Sequence, residues 1–225
     1  MELNPLARAV STVALAATAF FTIAAFLQLP ADAVLAVHWN INGVADGFAG
    51  REALLFIPIT AILTGGLLWL AVRYDPKRAN IARSSDALGL VVVALALLVA
   101  VTQSAIINSG FGEAARLDFA VPIVAGAFIA ILGYAMPNIR QNYTIGVRLP
   151  WTIESEAAWD ASHRFIGGSW ILVGVLTALL GYFGQSVAAI LTLLIGLTLS
   201  SAGAVFVAYR VYRREPRSSR TKRRR

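Results

Sequence analysis

The stretch ALGLVVVALALLVAVTQSAII, residues 87–107, decides the fold class of this chain. It contains no charged side chain, and as a helix rising 1.5 Å per residue it is long enough to cross a hydrocarbon core of about 30 Å. Such a span must be helical, because lipid offers no partners for unpaired backbone amides and carbonyls. Similar apolar runs predict six transmembrane helices in total, at residues 10–29, 53–72, 87–107, 117–136, 166–183 and 187–209.

The composition of the whole chain also indicates a membrane protein. Of its 225 residues, 58% are hydrophobic and 14% are charged, whereas a soluble domain has about 25% charged residues. The chain has no cysteine, and its two histidines are His38 and His163. This excludes disulfides, cysteine nucleophiles and thiolate or histidine-rich metal sites. We predict an all-α integral membrane protein with no cofactor and no metal.

The first apolar run has an alternative interpretation as a signal peptide, because Ala31-Asp32-Ala33 matches an A-x-A cleavage pattern. The run is longer than an ordinary signal core of about 7–15 residues, and one basic residue, Arg8, precedes it. We therefore predict that it is retained as the first span.

The basic residues are distributed unevenly between the two sides that six spans define. Arg51 and Arg116 fall in the first and third loops, and the other seventeen of the nineteen fall on the opposite side. Cytoplasmic loops carry an excess of Lys and Arg, so we predict that both termini are cytoplasmic. Nine of the basic residues lie in the tail from Arg210. We expect this tail to contact anionic lipids, at about 1 kcal/mol per residue, rather than nucleic acid.

The outer loop, residues 30–52, contains HWNINGVADGF, residues 38–48. Its Asn-Gly and Asp-Gly pairs favour tight turns, and Trp39 and Phe48 suit the headgroup layer. Two interpretations stay open. The loop is either a compact, surface-lying or re-entrant segment with His38 as a polar cap, or a recognition surface for a molecule that arrives from outside.

The inner loop contains TIGVRLPWTIESEAAWDASHRFIGG, residues 144–168. Ser155 can cap a helix on which Trp159 and His163 share a face. We predict an amphipathic helix that lies on the cytoplasmic interface between the fourth and fifth spans, anchored by Trp151 and Trp159. A catalytic role for His163 lacks a nucleophile, because the adjacent Ser162 projects about 100° away on a helix. We predict no catalytic residue and no enzyme.

Small residues recur along the last two spans. Glycines at a period of seven mark the fifth span, and small residues at a period of four mark the sixth, which lets helices approach closely in lipid. The spans themselves hold no ionisable residue well inside, which weakens an ion-coupled transport hypothesis. The two sets are Gly167, Gly174 and Gly181, and Gly196, Ser200, Ala204 and Ala208.

The two loop motifs together resemble a known family. HWNINGVADGF resembles the motif of the DUF1648 domain, and IGVRLPWTIESEAAWDASHRFIGG resembles the core of the SdpI family. The resemblance divides the chain into a DUF1648-like region at 1–80 and an SdpI-like region at 81–210. The basic tail at 211–225, which we expect to be disordered, departs from the family pattern. It implies a bacterial plasma-membrane protein that protects a toxin-producing cell from its own secreted toxin. In some members it also implies capture of a transcriptional repressor at the membrane.

The resemblance also assigns motif positions on both faces. The outer motif, for toxin or ligand recognition, comprises His38, Trp39, Asn40, Gly43, Asp46 and Gly47. The cytoplasmic motif, for structure or partner docking, comprises Gly146, Arg148, Pro150, Trp151, Thr152, Trp159, His163, Arg164 and Gly168.

Two other functions remain open from the sequence. A small transporter or flippase for an amphipathic molecule would need a polar cavity, which neutral residues such as Gln103 would line. A scaffold would tether a cytoplasmic protein through the inner loop and the basic tail.

Overall fold

The computed structural model describes residues 3–112 and 117–216. Within these residues, six helices are long and apolar enough to cross a membrane, as the sequence predicts. The six are α1 (Pro5–Gln28), α2 (Phe56–Arg73), α4 (Ser85–Gly110), α5 (Leu117–Ala135), α7 (Glu156–Tyr182) and α8 (Ser186–Arg214), and two short helices are α3 (Arg78–Ala82) and α6 (Pro150–Glu154). Arg116 and the tail beyond residue 216 lie outside the described residues.

Four segments meet at one end of the bundle, which we call the basic end. The start of α1 lies beside the start of α4, where Asn4 Nδ2 donates to Asp86 Oδ1 at 3.0 Å. The end of α8 lies beside α6, where the Tyr212 hydroxyl donates to Glu154 Oε2 at 2.7 Å. The two pairs are joined where the Arg140 N–H, in the segment before α6, donates to Ser84 Oγ at the start of α4 at 2.9 Å. The N-terminus, the described C-terminal end and the cytoplasmic motif are therefore on the same side of the bundle.

The opposite end carries a β-hairpin, so the all-α prediction is incomplete. Strands β1 (Val34–Trp39) and β2 (Ala45–Gly50) pair antiparallel, with Leu35 opposite Ala49. Leu35 is fully buried in a cluster with residues of α1 and α4 and of the 3-10 turn Arg51–Leu55. The hairpin is thus a packed part of the fold, and we call this side of the bundle the hairpin end.

The glycine stripe of the fifth span packs against the fourth span. A Cβ on Gly126 of α5 would lie 2.5 Å from the Gly174 carbonyl, and one on Gly133 would lie 2.7 Å from the Gly167 carbonyl. The two backbones are therefore in direct contact. The small-residue stripe of α8 faces α7 on another side, where Trp170 Nε1 donates to Ser200 Oγ at 3.0 Å.

The predicted amphipathic interfacial helix is wrong. α7 runs without a break from Glu156 to Tyr182, so the predicted segment forms the first turns of the fifth span. Its Trp159 and His163 are 0% and 1% exposed, and they pack inside the protein rather than in the headgroup layer. Gly167 lies inside this helix against Gly133 and Pro137, where a Cβ would come within 2.9 Å of both.

Candidate functional site

The turn of the β-hairpin is built by the first part of the outer motif. Asn40 Oδ1 accepts the backbone N–H groups of Asn42 at 2.9 Å and Val44 at 3.2 Å. Gly43 has φ +74°, a left-handed conformation that glycine adopts without strain. Asn40 and Gly43 therefore shape the turn that presents the hairpin tip.

The second part of the outer motif forms an exposed polar pair on the hairpin. His38 Nδ1 lies 2.6 Å from Asp46 Oδ1, and the two side chains are 70% and 44% exposed. Gly47 makes this approach possible, because a Cβ there would lie 2.8 Å from the His38 Cβ. Such an exposed pair contributes little to stability in water. Because both side chains are exposed, a ligand can reach their polar atoms.

Trp39 turns away from this pair into a cleft between α4 and α5. The cleft has a volume of about 160 Å³ and almost wholly apolar walls, including Leu98, Val101 and Val124. A second cleft of about 270 Å³ continues along the hairpin to Ile190 of α8, and Trp39 lines both. The outer motif thus combines an exposed polar pair with an apolar recess beside it.

At the basic end, the cytoplasmic motif is organised around a buried stack of two rings. The Trp159 and His163 rings lie 4.1 Å apart at an interplanar angle of 19°. Trp159 Nε1 donates to the Ile139 carbonyl at 2.8 Å, which fixes the segment after α5 against α7. The rings therefore join parts of the chain that are twenty residues apart.

Both ring nitrogens of His163 are occupied by the backbone. Nδ1 lies 2.9 Å from the Trp159 carbonyl, and the Val147 N–H points at Nε2 at 3.3 Å. A carbonyl can only accept, so Nδ1 carries the proton and Nε2 accepts, which describes a neutral ring. This geometry gives His163 a structural role and leaves neither nitrogen facing a substrate.

The stacked rings of Trp159 and His163 also require a glycine at position 146. Its φ is +115°, and a Cβ would meet Nε2 of His163 and, at 3.0 Å, the Trp159 ring. A side chain at this position would meet both an unfavourable backbone conformation and a steric clash. The sequence motif thus contains this glycine for a packing reason.

Thr152 closes the loop between Gly146 and α6. Its hydroxyl donates to the Val147 carbonyl at 2.7 Å and accepts the Leu149 N–H at 2.8 Å. Pro150 occupies the first turn of α6, where its missing N–H costs nothing. Thr152 is fully buried, so these bonds are made away from water.

The remaining motif residues lie at the surface or at its edge. Trp151 is half-buried and packs edge-on against Tyr209 of α8, with ring centroids 5.5 Å apart. Arg148, Pro150, Arg164 and Gly168 are exposed. A Cβ on Gly168 would meet no described atom within 4 Å, so packing does not require a glycine there.

Three buried polar residues that the sequence analysis missed support the motif. Asp75 accepts the Tyr143 N–H at 2.9 Å and the Thr144 hydroxyl at 2.7 Å. Gln141 Nε2 donates to the Thr152 carbonyl at 2.6 Å, and Asn142 Oδ1 accepts the Thr144 N–H at 2.8 Å. In the sequence, the pairs Asp75-Pro76 and Gln141-Asn142 beside apolar spans indicate these turns. Such residues favour turns in which a side chain caps the backbone.

Gln103 does not line a polar cavity of the kind that the transporter hypothesis needs. It is fully buried in α4, and its amide donates to the Thr22 hydroxyl at 3.0 Å and the Leu54 carbonyl at 2.9 Å. These bonds join three segments of the first half of the chain. Gln103 is therefore part of the packing within the membrane.

In comparisons with known proteins, both motifs fall within segments that match family models. The model of the SdpI/YfhL protein family matches residues 138–210, and that of a domain of unknown function, DUF1648, matches residues 13–62. The immunity protein SdpI of Bacillus subtilis (strain 168) is 24% identical over 179 residues, which cover 79% of this chain and 83% of that protein. No solved structure matches the chain.

Proposed function

The chain belongs to the SdpI family, and from this premise we propose that it is an immunity protein. It protects its cell against a secreted antimicrobial peptide or toxin, and it does so from the bacterial plasma membrane. It performs no catalysis in this role. The premise is supported by the two family matches and by a curated relative whose name describes immunity.

The observation that carries the proposal is the position of the outer motif. His38 and Asp46 expose a polar pair, and Trp39 lines an apolar cleft directly beside it. An amphipathic peptide presents apolar and polar groups together, and this surface offers a partner for each. Recognition at this end would keep the peptide from acting on the bilayer or on its target.

The orientation follows from the distribution of charge. The basic end collects most of the Lys and Arg of the described loops, whereas Arg51 lies at the hairpin end. The positive-inside tendency supports a cytoplasmic basic end, with both termini, and an outward-facing hairpin. The outer motif then faces a secreted peptide.

We propose a second, cytoplasmic role for the exposed part of the inner motif. Arg148 and Pro150 are exposed on a loop that is held rigidly by Thr152 and Asp75. A rigid exposed loop beside a membrane is a suitable docking surface for a cytoplasmic repressor protein. Peptide binding at the hairpin end would change this surface and so retain the repressor at the membrane.

The immunity proposal is tested in a sensitive bacterial host that expresses this chain. Cells are challenged with the secreted peptides encoded near its gene, and survival is compared for the wild type, Trp39→Ala and Trp69→Ala. Trp69 is the matched control, because it is 59% exposed on α2 and lines no part of the outer cleft. We expect the wild type and Trp69→Ala to protect and Trp39→Ala to lose most of its protection at equal membrane levels. Killing of wild-type cells by every such peptide contradicts the proposal.

Repressor capture has its own test. Membranes with wild type, Arg148→Ala or Arg78→Ala are incubated with the candidate repressor and the protecting peptide. Arg78 is an exposed arginine of α3 outside the motif loop. We expect Arg148→Ala alone to reduce capture, and equal capture by all three variants would rule out this loop as the dock.

A further inference from the structure

A cavity with three arginines lies at the basic end, where the starts of α4 and α7 meet the end of α5. Its volume is about 500 Å³, which is within the range of sites for small ligands. Arg83, Arg140 and Arg164 line it, each from a different segment of the chain. Two carboxylates, Asp86 and Asp160, also line it, so the charges of the lining leave a positive excess.

The three guanidinium groups have no partner in the part of the chain that the structure describes. Neither a hydrogen bond nor an ion pair joins them to any residue in 3–112 or 117–216. Asp86 accepts a hydrogen bond from the neutral amide of Asn4 at 3.0 Å, which leaves its negative charge in the lining. The three positive charges exceed the two negative charges of the lining, and an anion between the guanidinium groups would balance that excess.

The backbone that carries these arginines is held in place by buried contacts. The Arg140 N–H donates to Ser84 Oγ at 2.9 Å, and Ser84 is itself buried next to Arg83. Ile139, which precedes Arg140, accepts the indole N–H of Trp159. The backbone beside Arg83 and Arg140 is thus fixed, and the three arginine side chains are exposed and accessible to a ligand.

Beside these charged groups, the cavity lining contains polar residues such as Ser84 and Asn138 together with apolar ones, and it reaches the outside of the bundle. Leu90 and Pro137 form part of the wall, and Tyr134, near the end of α5, is 66% exposed. A ligand here can therefore place a charged group among the arginines and an apolar group along the helices. Arginine binds phosphate oxygens with two parallel hydrogen bonds, and basic pockets between membrane helices are suited to phospholipid headgroups.

We propose that the three-arginine cavity binds the phosphate headgroup of an anionic phospholipid. This site is separate from the outer motif, and it does not depend on the immunity proposal. It is also distinct from the basic tail, since its residues belong to the folded bundle. Lipid binding here would stabilise the packing of α4, α5 and α7 against one another at the basic end.

The test compares lipid binding to purified full-length protein. Native mass spectrometry and thermal unfolding are measured with phosphatidylglycerol, with phosphatidylcholine and with inorganic phosphate alone. The triple variant Arg83→Gln, Arg140→Gln, Arg164→Gln is compared with the control Arg73→Gln, Arg78→Gln, Arg213→Gln, which removes the same charge from exposed positions outside the cavity. We expect phosphatidylglycerol to bind the wild type and the control, and the cavity variant to bind it roughly a hundredfold more weakly.

The other outcomes are equally informative. Equal weakening in both triple variants would show general charge attraction and overturn the proposal. Stabilisation by inorganic phosphate but not by phosphatidylglycerol would assign the cavity to a soluble anion, which also overturns it. If the triple variant fails to fold, the single variant Asp160→Asn tests the site instead. It removes a negative charge from the cavity and should tighten phosphatidylglycerol binding several-fold, and an unchanged affinity counts against the site.

Discussion

The two motifs use the same residue types in opposite ways. His38 of the outer motif has a side chain that is 70% exposed and paired with Asp46 at the surface, whereas His163 of the inner motif is buried with both nitrogens bonded to the backbone. The outer motif lies on the surface of the bundle, and the inner motif is part of its core. One motif therefore presents an exposed surface, and the other is a buried folding unit.

This difference predicts that substitutions will separate stability from protection. The largest effect is expected for Trp159→Ala, which removes a fully buried ring, its stack on His163 and its bond to Ile139. We expect a loss of about 3–5 kcal/mol in the free energy of unfolding. Chemical unfolding in detergent measures it, with the exposed Trp69→Ala as the control. A similar small loss in both variants would show that the inner motif is not part of the core.

An intermediate effect is expected for Gly146→Ala. The methyl group would sit at φ +115° and against the rings of His163 and Trp159, and we expect a cost of about 1–3 kcal/mol. Gly184→Ala is the matched control, because Gly184 also has a positive φ (+72°) but no described atom within 4 Å of its Cβ position. The difference between the two variants measures the clash together with the greater backbone strain at φ +115°, since +72° lies close to the left-handed region that other residues tolerate. If they cost the same, the ring contact contributes nothing.

The smallest effect on stability is expected at the hairpin. His38→Ala breaks an exposed pair, and we expect a change of no more than about 1 kcal/mol in the free energy of unfolding. Protection against the peptide should nevertheless fall sharply. Unfolding and survival assays on the same preparations check both parts, and a destabilised variant or one that still protects fully would contradict the contrast between the motifs.

The spans could be predicted from the sequence, because a long apolar run has one stable solution in lipid. The run at 87–107 is found inside α4 (Ser85–Gly110). The hairpin could not be predicted as easily, since ADGFAG has weak β propensity and pairs only because Leu35 is anchored by distant residues. The burial of Trp159 was missed for the same reason. Its partners, Ile139 and Gly146, come from a preceding loop, whereas helical periodicity describes only local neighbours.

The most direct test of the central claim uses the absence of cysteine in the chain. Single-cysteine variants Asn42→Cys, at the exposed hairpin tip, and Arg148→Cys, in the inner motif, are treated in intact cells with a membrane-impermeant maleimide. An outward hairpin that recognises the peptide predicts labelling of Asn42→Cys, slowed by the protecting peptide, and labelling of Arg148→Cys only after lysis. Labelling of Arg148→Cys but not Asn42→Cys in intact cells, or no effect of the peptide on Asn42→Cys, would contradict it.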